Sequence, residues 1–416
     1  MQATQIPDSY ALRERSLKLC DNGRAAGAPA ISNSRAATSS RLAIFSDSNG
    51  YTDGVSSWCD RFVRQAQYHG YEVSVPNCND QNSHSNTRQN HLAPLASFTL
   101  PLYSHMKLNV PSPSGILSWA RESRISHVEL ATPGTMGLFG LYAAKRLSLP
   151  VTATYHTHVP GQISCLRGGR PLLHATRKYL RWFYEKMDQV FVLSLGAQRI
   201  LQDIGVSSHR IRAIPLVIDP EEFSPTHRDR RVFAELGLEL GNEPVILSVG
   251  RISPEKNIPI MVEAVTRLQD ARQPPRLVVV GDGPSRSDWE HAYRDLPFVH
   301  FVGMRYGREL SRLYASADAF IFASRVDTLG LVIFEAMASG TPVVLPADAC
   351  ACEFAQDGVQ AQHYAPNADS LAAALRRVTT DLNYSRFLAH NGRQQTLRQW
   401  RQFPFSTIWN HYVRSN

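Results

Sequence analysis

Apolar residues in this chain fall in short runs bounded by glycine, proline or small polar residues. Each run is followed by a longer stretch in which apolar positions recur at helical spacing. The first run, RLAIFSD (Arg41 to Asp47), leads through SNGYTDGV into a helical pattern from Ser56 to Gly70, and EVSV reads as a second strand. After a polar loop (residues 79–91), HVELATPG is a strand and loop and GLFGLYAAKRL a helix. VTATYHTHVPG is a strand ending in a histidine-rich loop, and QVFVLS and RIRAIPLV are later strands. Uninterrupted apolar strands alternating with helices predict a parallel sheet covered on both faces. The pattern restarts after the polar, charged stretch Asp219 to Asn242, with PVILSVG, RLVVVGDG, HFVG and AFIFAS as strands, each turning into a helix at Gly, Ser or Pro. The expected fold is α/β: two Rossmann-like, doubly wound domains facing a cleft at the carboxyl ends of both sheets. Their bounds are 41–218 and 243–395, with a linker at 219–242. Residues 396–416 are expected to form a helix returning to the first domain. Residues 1–40 lack apolar periodicity and read as a disordered extension.

The cleft edge of the second domain carries the densest chemistry. AFIFAS ends at Ser324, RVDTLG is a loop, and LVIFEAMAS is a helix stopped by Gly340 and Pro342. The first amides of that helix, near Gly330 and Leu331, have no partner within it and form an anion site. Gly330 leaves the backbone open to a ligand. Asp327 on the loop and Glu335 in the helix, seven residues between them, flank that spot. Carboxylates accept hydrogen bonds from hydroxyls, so two acids beside an anion site suit a phosphate ester carrying hydroxyls, such as a nucleotide sugar. SVGRISPEKNIP places Arg251 and Lys256 just past another strand end, two cations able to neutralise a departing nucleoside diphosphate without a metal. Blander readings stand beside these: Asp327 as a helix cap, and Arg251 and Lys256 as solvated loop charges.

Composition narrows the partners. The formal charge of +8 favours anions: sugar nucleotides, acidic lipids or nucleic acid. The six cysteines show neither disulfide nor zinc spacing, which reads as reduced thiols in a cytoplasmic setting. No apolar run reaches the roughly 18 residues of a membrane span. The segment Pro171 to Asp188 reads as a helix with an apolar face (Leu172, Leu173, Thr176, Tyr179, Leu180, Phe183, Met187). Beside that face lies a basic one (Arg170, His174, Arg177, Lys178, Arg181), with Trp182 as an interfacial aromatic. Such a helix can lie peripherally on anionic lipid at the inner face of a membrane. It can equally pack its apolar face on its own sheet.

Several segments together resemble the retaining glycosyltransferases of family four, whose fold is the two-domain arrangement called GT-B. They are VGRISPEKNIPIMVEAV, LVVVGDGP, FVGMRYGRELSRLYASADAF and DTLGLVIFEAMASGTPVV in the second half, with IFSDSNGYTDGV, ELATPGTMGLFGLYAAKRL, ATYHTHVP and LVIDPEEFSP in the first. The resemblance covers about residues 41 to 400. More loosely, the TPG and YHT motifs are similar to the subgroup containing phosphatidylinositol mannosyltransferases and glycosyl-diacylglycerol synthases. Membership implies transfer of a hexosyl group from a UDP- or GDP-sugar to a lipid or glycan hydroxyl, with no cofactor, no metal and no nucleic-acid partner. It implies that Glu335 holds the ribose hydroxyls and that Asp327, standing where many members have Glu, takes a sugar hydroxyl. Arg251 and Lys256 would grip the diphosphate, and the amides at Gly330 and Leu331 would bind phosphate or sugar oxygens. The backbone near Met304 would meet the base, and His156 would touch the sugar 6-OH or line the reacting centre. The loop at Gly50 and Gly54 would approach the diphosphate or the acceptor. Two alternatives stay open: a non-catalytic sugar-nucleotide or glycan-binding relative, and another GT-B chemistry such as an epimerase. A pyridoxal-dependent phosphorylase is opposed by the absence of any lysine beyond Lys256.

Overall fold

The computed structural model describes residues 40–49, 51, 53–78, 91–100, 103–164, 170–216 and 218–413. The extension read over 1–40 lies outside these residues except for Ser40, and the polar loop at 79–91 lies outside them except for His91. Gly50 lies outside them too.

The first domain contains β1 (Arg41–Phe45), β2 (Glu72–Ser74), β3 (Pro94–Leu100), β4 (Tyr103–Pro111), β5 (His127–Leu130), β6 (Val151–Thr154), β7 (Gln189–Val192) and β8 (Ile211–Ala213). The second contains β9 (Val245–Val249), β10 (Arg276–Val280), β11 (Val299–Gly303), β12 (Ala319–Ile321), β13 (Val343–Pro346) and β14 (Ala361–Tyr364). The two main sheets run β2-β1-β5-β6-β7-β8 and β11-β10-β9-β12-β13-β14, and every pairing in them is parallel. The chain is thus two doubly wound α/β domains. Strand order reverses between β1 and β5 in one sheet and between β9 and β12 in the other. Ligands of such sheets bind outside the carboxyl ends of the strands at these switch points. The fully buried Val, Ile, Leu and Ala of β9, β10, β12 and β13 reflect helices on both faces.

The sequence pattern did not announce the β3–β4 antiparallel hairpin. Its exposed positions include Leu95 and Phe98, so it lacks the one-sided burial that produces a readable alternation. At the other end, the helix Leu382–Gln402 packs on the second domain. The helix Phe405–Val413 then lies on the first, with Phe405, Trp409 and Tyr412 around Phe62 and Trp409 stacked on Tyr71. Trp409 is fully buried, so its truncation to Ala would remove about 3–5 kcal/mol. A continuous apolar cluster runs from Leu42 and Phe62 through Leu247 and Phe334 to Trp409 and joins the two domains.

Candidate active site between the two domains

A cleft of about 640 Å³ lies between the domains. Nine of the ten site residues read from the sequence line it or lie in its walls. Arg251, Lys256, Asp327, His156, Glu335, Gly330, Leu331, Met304 and Gly54 all face it, and Gly50 falls outside the described residues.

Backbone packing between glycines fixes Arg251. The loop after β9 lies against the loop after β10, with Gly250 N bonded to Val280 O at 3.0 Å and Ile252 N to Asp282 O at 2.8 Å. A Cβ on Gly281 would come within 1.9 Å of Gly250 O, so only glycine permits the approach. A single 3-10 turn, Pro254–Lys256, then presents Lys256, whose Nζ pairs with Asp327 Oδ2 at 2.5 Å. Asp327 therefore does not cap the following helix. That helix, Leu331–Ala338, begins at Gly330 (φ 75°) with no side-chain cap. A Cβ at Gly330 would meet Ile333 Cδ1 at 2.9 Å in a backbone region that L side chains avoid. The residues at this end line the cleft, and the first turn carries no carboxylate of its own.

Glu335 is only 3% exposed. Its Oε1 accepts from Arg61 Nη2 at 2.5 Å and its Oε2 from the Tyr314 hydroxyl at 2.7 Å. Arg61 comes from the first-domain helix Gly54–Tyr68, so the contact crosses the cleft. Other bridges cross beside it. Thr328 Oγ1 donates to His156 O at 2.6 Å, and Ser194 Oγ donates to Thr328 O at 2.6 Å. Glu353 accepts from Leu195 N and Gly196 N at 2.7 and 3.1 Å. The His156 ring packs on Trp58 at 4.5 Å, and its Nε2 is buried with no partner among the described residues. Burial lowers this imidazole to about 3, so it is neutral at physiological pH and can offer a hydrogen bond but no charge. Met304 O accepts from Arg305 Nη1 at 2.8 Å. Arg61 lies outside the segments that carry the resemblance, while Arg305 and Tyr314 lie within FVGMRYGRELSRLYASADAF, where nothing in the sequence singles them out.

On the first-domain wall, two helix starts are filled by acids. Asp53 caps the helix Gly54–Tyr68 by accepting from Ser56 N at 2.8 Å. Asp47, 5% exposed, sits at the start of the helix Thr135–Leu147. It accepts from Thr135 Oγ1 (2.8 Å), Met136 N (2.9 Å) and Thr132 Oγ1 (2.6 Å). Among the described residues no group of three or more His, Cys, Asp or Glu is placed to hold a metal ion.

The helix read over Pro171 to Asp188 is observed as Arg170–Tyr184, and its apolar face divides. Leu180, Phe183, Tyr184 and Met187 are buried in the first-domain core, while Thr176, Tyr179 and Leu180 line the cleft. Trp182 (48%) remains exposed beside Lys178 and Arg181, and Leu172 (47%) is exposed near the start of the helix, whereas Arg177 is tied to the carbonyl of Asp203. The exposed set is therefore smaller than the sequence pattern implied. No described helix is long and apolar enough to cross a membrane.

The profile for glycosyltransferase family 4 matches residues 52–222, and that for glycosyl transferases group 1 matches residues 233–395. The sulfoquinovosyl transferase SQD2 of Arabidopsis thaliana is 30% identical over 311 residues, 73% of this chain and 59% of that protein. The alpha-monoglucosyldiacylglycerol synthase of Streptococcus pneumoniae is 33% identical over 238 residues, 56% of this chain and 54% of that protein. The chain thus spans a little over half the length of these relatives. The crystal structure of Anabaena Alr3699/HepE in complex with UDP-glucose superposes with a TM-score of 0.70 at 20% identity, over 90% of this chain and 98% of that one. With one profile on each domain and both doubly wound sheets in place, the chain belongs to glycosyltransferase family four.

Proposed function

We propose that this protein transfers a hexosyl group from a UDP- or GDP-linked sugar to a hydroxyl of a lipid or glycan, with retention at the anomeric carbon and without a metal. One observation carries the reading. An uncapped helix start at Gly330 shares a cleft with two cations, Arg251 and Lys256, and two acids, Asp327 and Glu335. In this reading the diphosphate lies against the Gly330 and Leu331 amides. Lys256 spends one of its three N–H groups on Asp327 and keeps two for phosphate oxygens. Arg251 is the second cation. As the glycosyl bond breaks, positive charge grows on the sugar and negative charge on the leaving phosphate. Cations held in place beforehand stabilise that state more than the ground state. Asp327 takes a sugar hydroxyl, neutral His156 bonds the 6-OH, Glu335 takes ribose hydroxyls, and the backbone at Met304 meets the base. The acceptor attacks from the face the diphosphate leaves, with a phosphate oxygen taking its proton.

The first-domain half of the cleft supports a lipid acceptor, because Leu108, Pro133, Val159, Tyr179 and Leu180 line it. The exposed Lys178, Arg181 and Trp182, at i, i+3 and i+4 on the helix, form a small patch suited to anionic headgroups, each cation contributing about 1 kcal/mol near such a surface. One experiment tests both parts. UDP- and GDP-sugars are offered with liposomes of neutral lipid or lipid containing phosphatidylglycerol, each carrying diacylglycerol, and also with soluble glycans. The expected result is product on the anionic liposomes, sedimentation with them, and detachment as salt rises. Product on glycans alone, without sedimentation, would leave a soluble acceptor. Nucleoside diphosphate release from no donor in any arm would sink the transferase reading.

A further inference from the structure

We infer that Arg61 is part of the donor site, supplied by the opposite domain, and that it completes the recognition of the donor's ribose diol. The inference rests on the nucleotide-sugar reading of Glu335. The Arg61 guanidinium is held on three sides. Nη2 donates to Glu335 Oε1 at 2.5 Å, Nε lies 3.5 Å from Glu222 Oε2, and the group stacks over the Phe223 ring at 5.2 Å from its centroid. Nη1 is left buried at the cleft with no partner among the described residues. A buried guanidinium N–H without an acceptor is unfavourable, and its place beside a carboxylate that faces a ligand cleft gives it a use.

The hydrogen-bond count closes on a vicinal diol. A carboxylate has about four acceptor sites. At Glu335, Arg61 and Tyr314 occupy one on each oxygen, which leaves two. Two ribose hydroxyls fill those two as donors, and an oxygen of the same diol then accepts from Arg61 Nη1. Without Arg61, Glu335 would be a buried charge facing the ligand with only a tyrosine hydroxyl on it. With Arg61, the ribose site exists in full only when both domains contribute, so donor binding and cleft closure become one event. The fork matters as well as the charge. A lysine can reach Glu335 but cannot hold a second N–H in a fixed direction beside it.

The test measures binding of UDP and GDP, and of their 2′,3′-dideoxy counterparts, to the native chain and to Arg61→Lys by calorimetry, with melting temperature as the check on folding. Arg61→Met serves as a second variant. The expected result is a melting temperature for Arg61→Lys close to native and a loss of about tenfold or more for the ribonucleotide. For the dideoxy nucleotide, which lacks the diol, the variant and native chains should bind within about twofold of each other. Arg61→Met should show the same selective loss together with a lower melting temperature, because it strands Glu335. Equal losses for ribose and dideoxy nucleotides would overturn the assignment and leave Arg61 as a source of general positive potential. So would unchanged ribonucleotide binding in both variants. Native chain that binds neither UDP nor GDP would overturn the nucleotide-sugar reading itself, a result distinct from a variant that binds like the native.

Discussion

The two walls of the cleft are built from the same element, a strand running into a helix, yet they treat the helix start in opposite ways. On the first-domain wall two helix starts at the cleft already hold an acid, while the short helix Val159–Ser164 has none in its first turn. Asp53 caps the helix Gly54–Tyr68, Asp47 fills the start of Thr135–Leu147, and Glu353 reaches over from the second domain to the start of Leu195–Ile204. On the second-domain wall the helix Leu331–Ala338 starts at a bare glycine, with Arg251 and Lys256 close by. Partners differ in the same sense. Asp47 and the buried Glu129 are held only by hydroxyls and a backbone amide, whereas Asp327 and Glu335 face Lys256 and Arg61. A helix start binds an external anion only if the chain has not supplied one. In the proposed reading, one wall is therefore closed to phosphate and the other is open to it. One fold repeated twice yields an asymmetric cleft by changing a few side chains at equivalent places.

The largest test of that asymmetry removes the cations of the open wall. Arg251→Ala or Lys256→Ala should lower turnover by about 100 to 1,000-fold, the worth of one contact aimed at charge developing in the transition state. Lys256→Ala also leaves Asp327 without its cation, so donor KM should rise along with the fall in kcat. Steady-state kinetics read both. Near-native kcat in both variants would mean that the phosphate lies elsewhere.

A smaller effect belongs to the closed wall and to pH. Glu129, fully buried in β5, accepts from the hydroxyls of Thr152 and Thr154 and has no cation beside it among the described residues. Burial raises its carboxyl from 4.5 to about 7. Between those values the folded chain keeps a proton that the unfolded chain has released. This contribution to stability is present below about 4.5, declines as pH rises, and is gone above about 7. Its full size is about 3 kcal/mol. His156, lowered to about 3, works in the other direction, because the unfolded chain binds the proton first as pH falls below 6.5. The native melting curve mixes the two, so the quantity to read is the difference between Glu129→Gln and native. It should be near zero at pH 4.5 and should grow in favour of the variant up to pH 7.5. A difference that does not change with pH would mean that Glu129 is ionised in the fold and that the closed wall hides a cation.

Much of this was legible in the sequence because it depends on local pattern. Apolar runs of strand length alternating with helical spacing marked both domains, and the glycine, acid and cation order from Arg251 to Glu335 marked residues that line the cleft from the second domain. The hairpin of β3 and β4 was not legible, since a two-stranded ribbon exposed on Leu95 and Phe98 has no single buried face to imprint a period. Arg61 was missed for a different reason. On its helix it reads as one more polar position, and its meaning comes from Glu335, which is 274 residues away in sequence. The division of the helix Arg170–Tyr184 also needed tertiary structure. The spacing of Leu172 and Phe183 is the same kind of signal, but only Phe183 meets the core.

The smallest expected effect lies at Asp47, where the closed wall can be opened by one atom. Asp47→Asn keeps the shape and one carbonyl oxygen, which can still accept from Thr135 and Met136 N. The oxygen that accepts from Thr132 Oγ1 becomes an NH₂ group, so that hydroxyl must turn and become an acceptor. It already accepts from Asp47 N at 2.8 Å, so the turn crowds two donors onto one oxygen. The helix Thr135–Leu147 also loses the negative charge at its start, worth about 0.3–1 kcal/mol and up to about 2 kcal/mol in partly buried settings. The sum is about 1–3 kcal/mol, visible as a drop of a few degrees in melting temperature. Affinity for UDP or GDP should stay within about twofold of native, because the changed group sits on the wall opposite the one read as gripping the diphosphate. If instead Asp47→Asn melts like the native chain but alters nucleotide affinity tenfold, Asp47 belongs to the donor site, and the division of the cleft into a closed and an open wall fails.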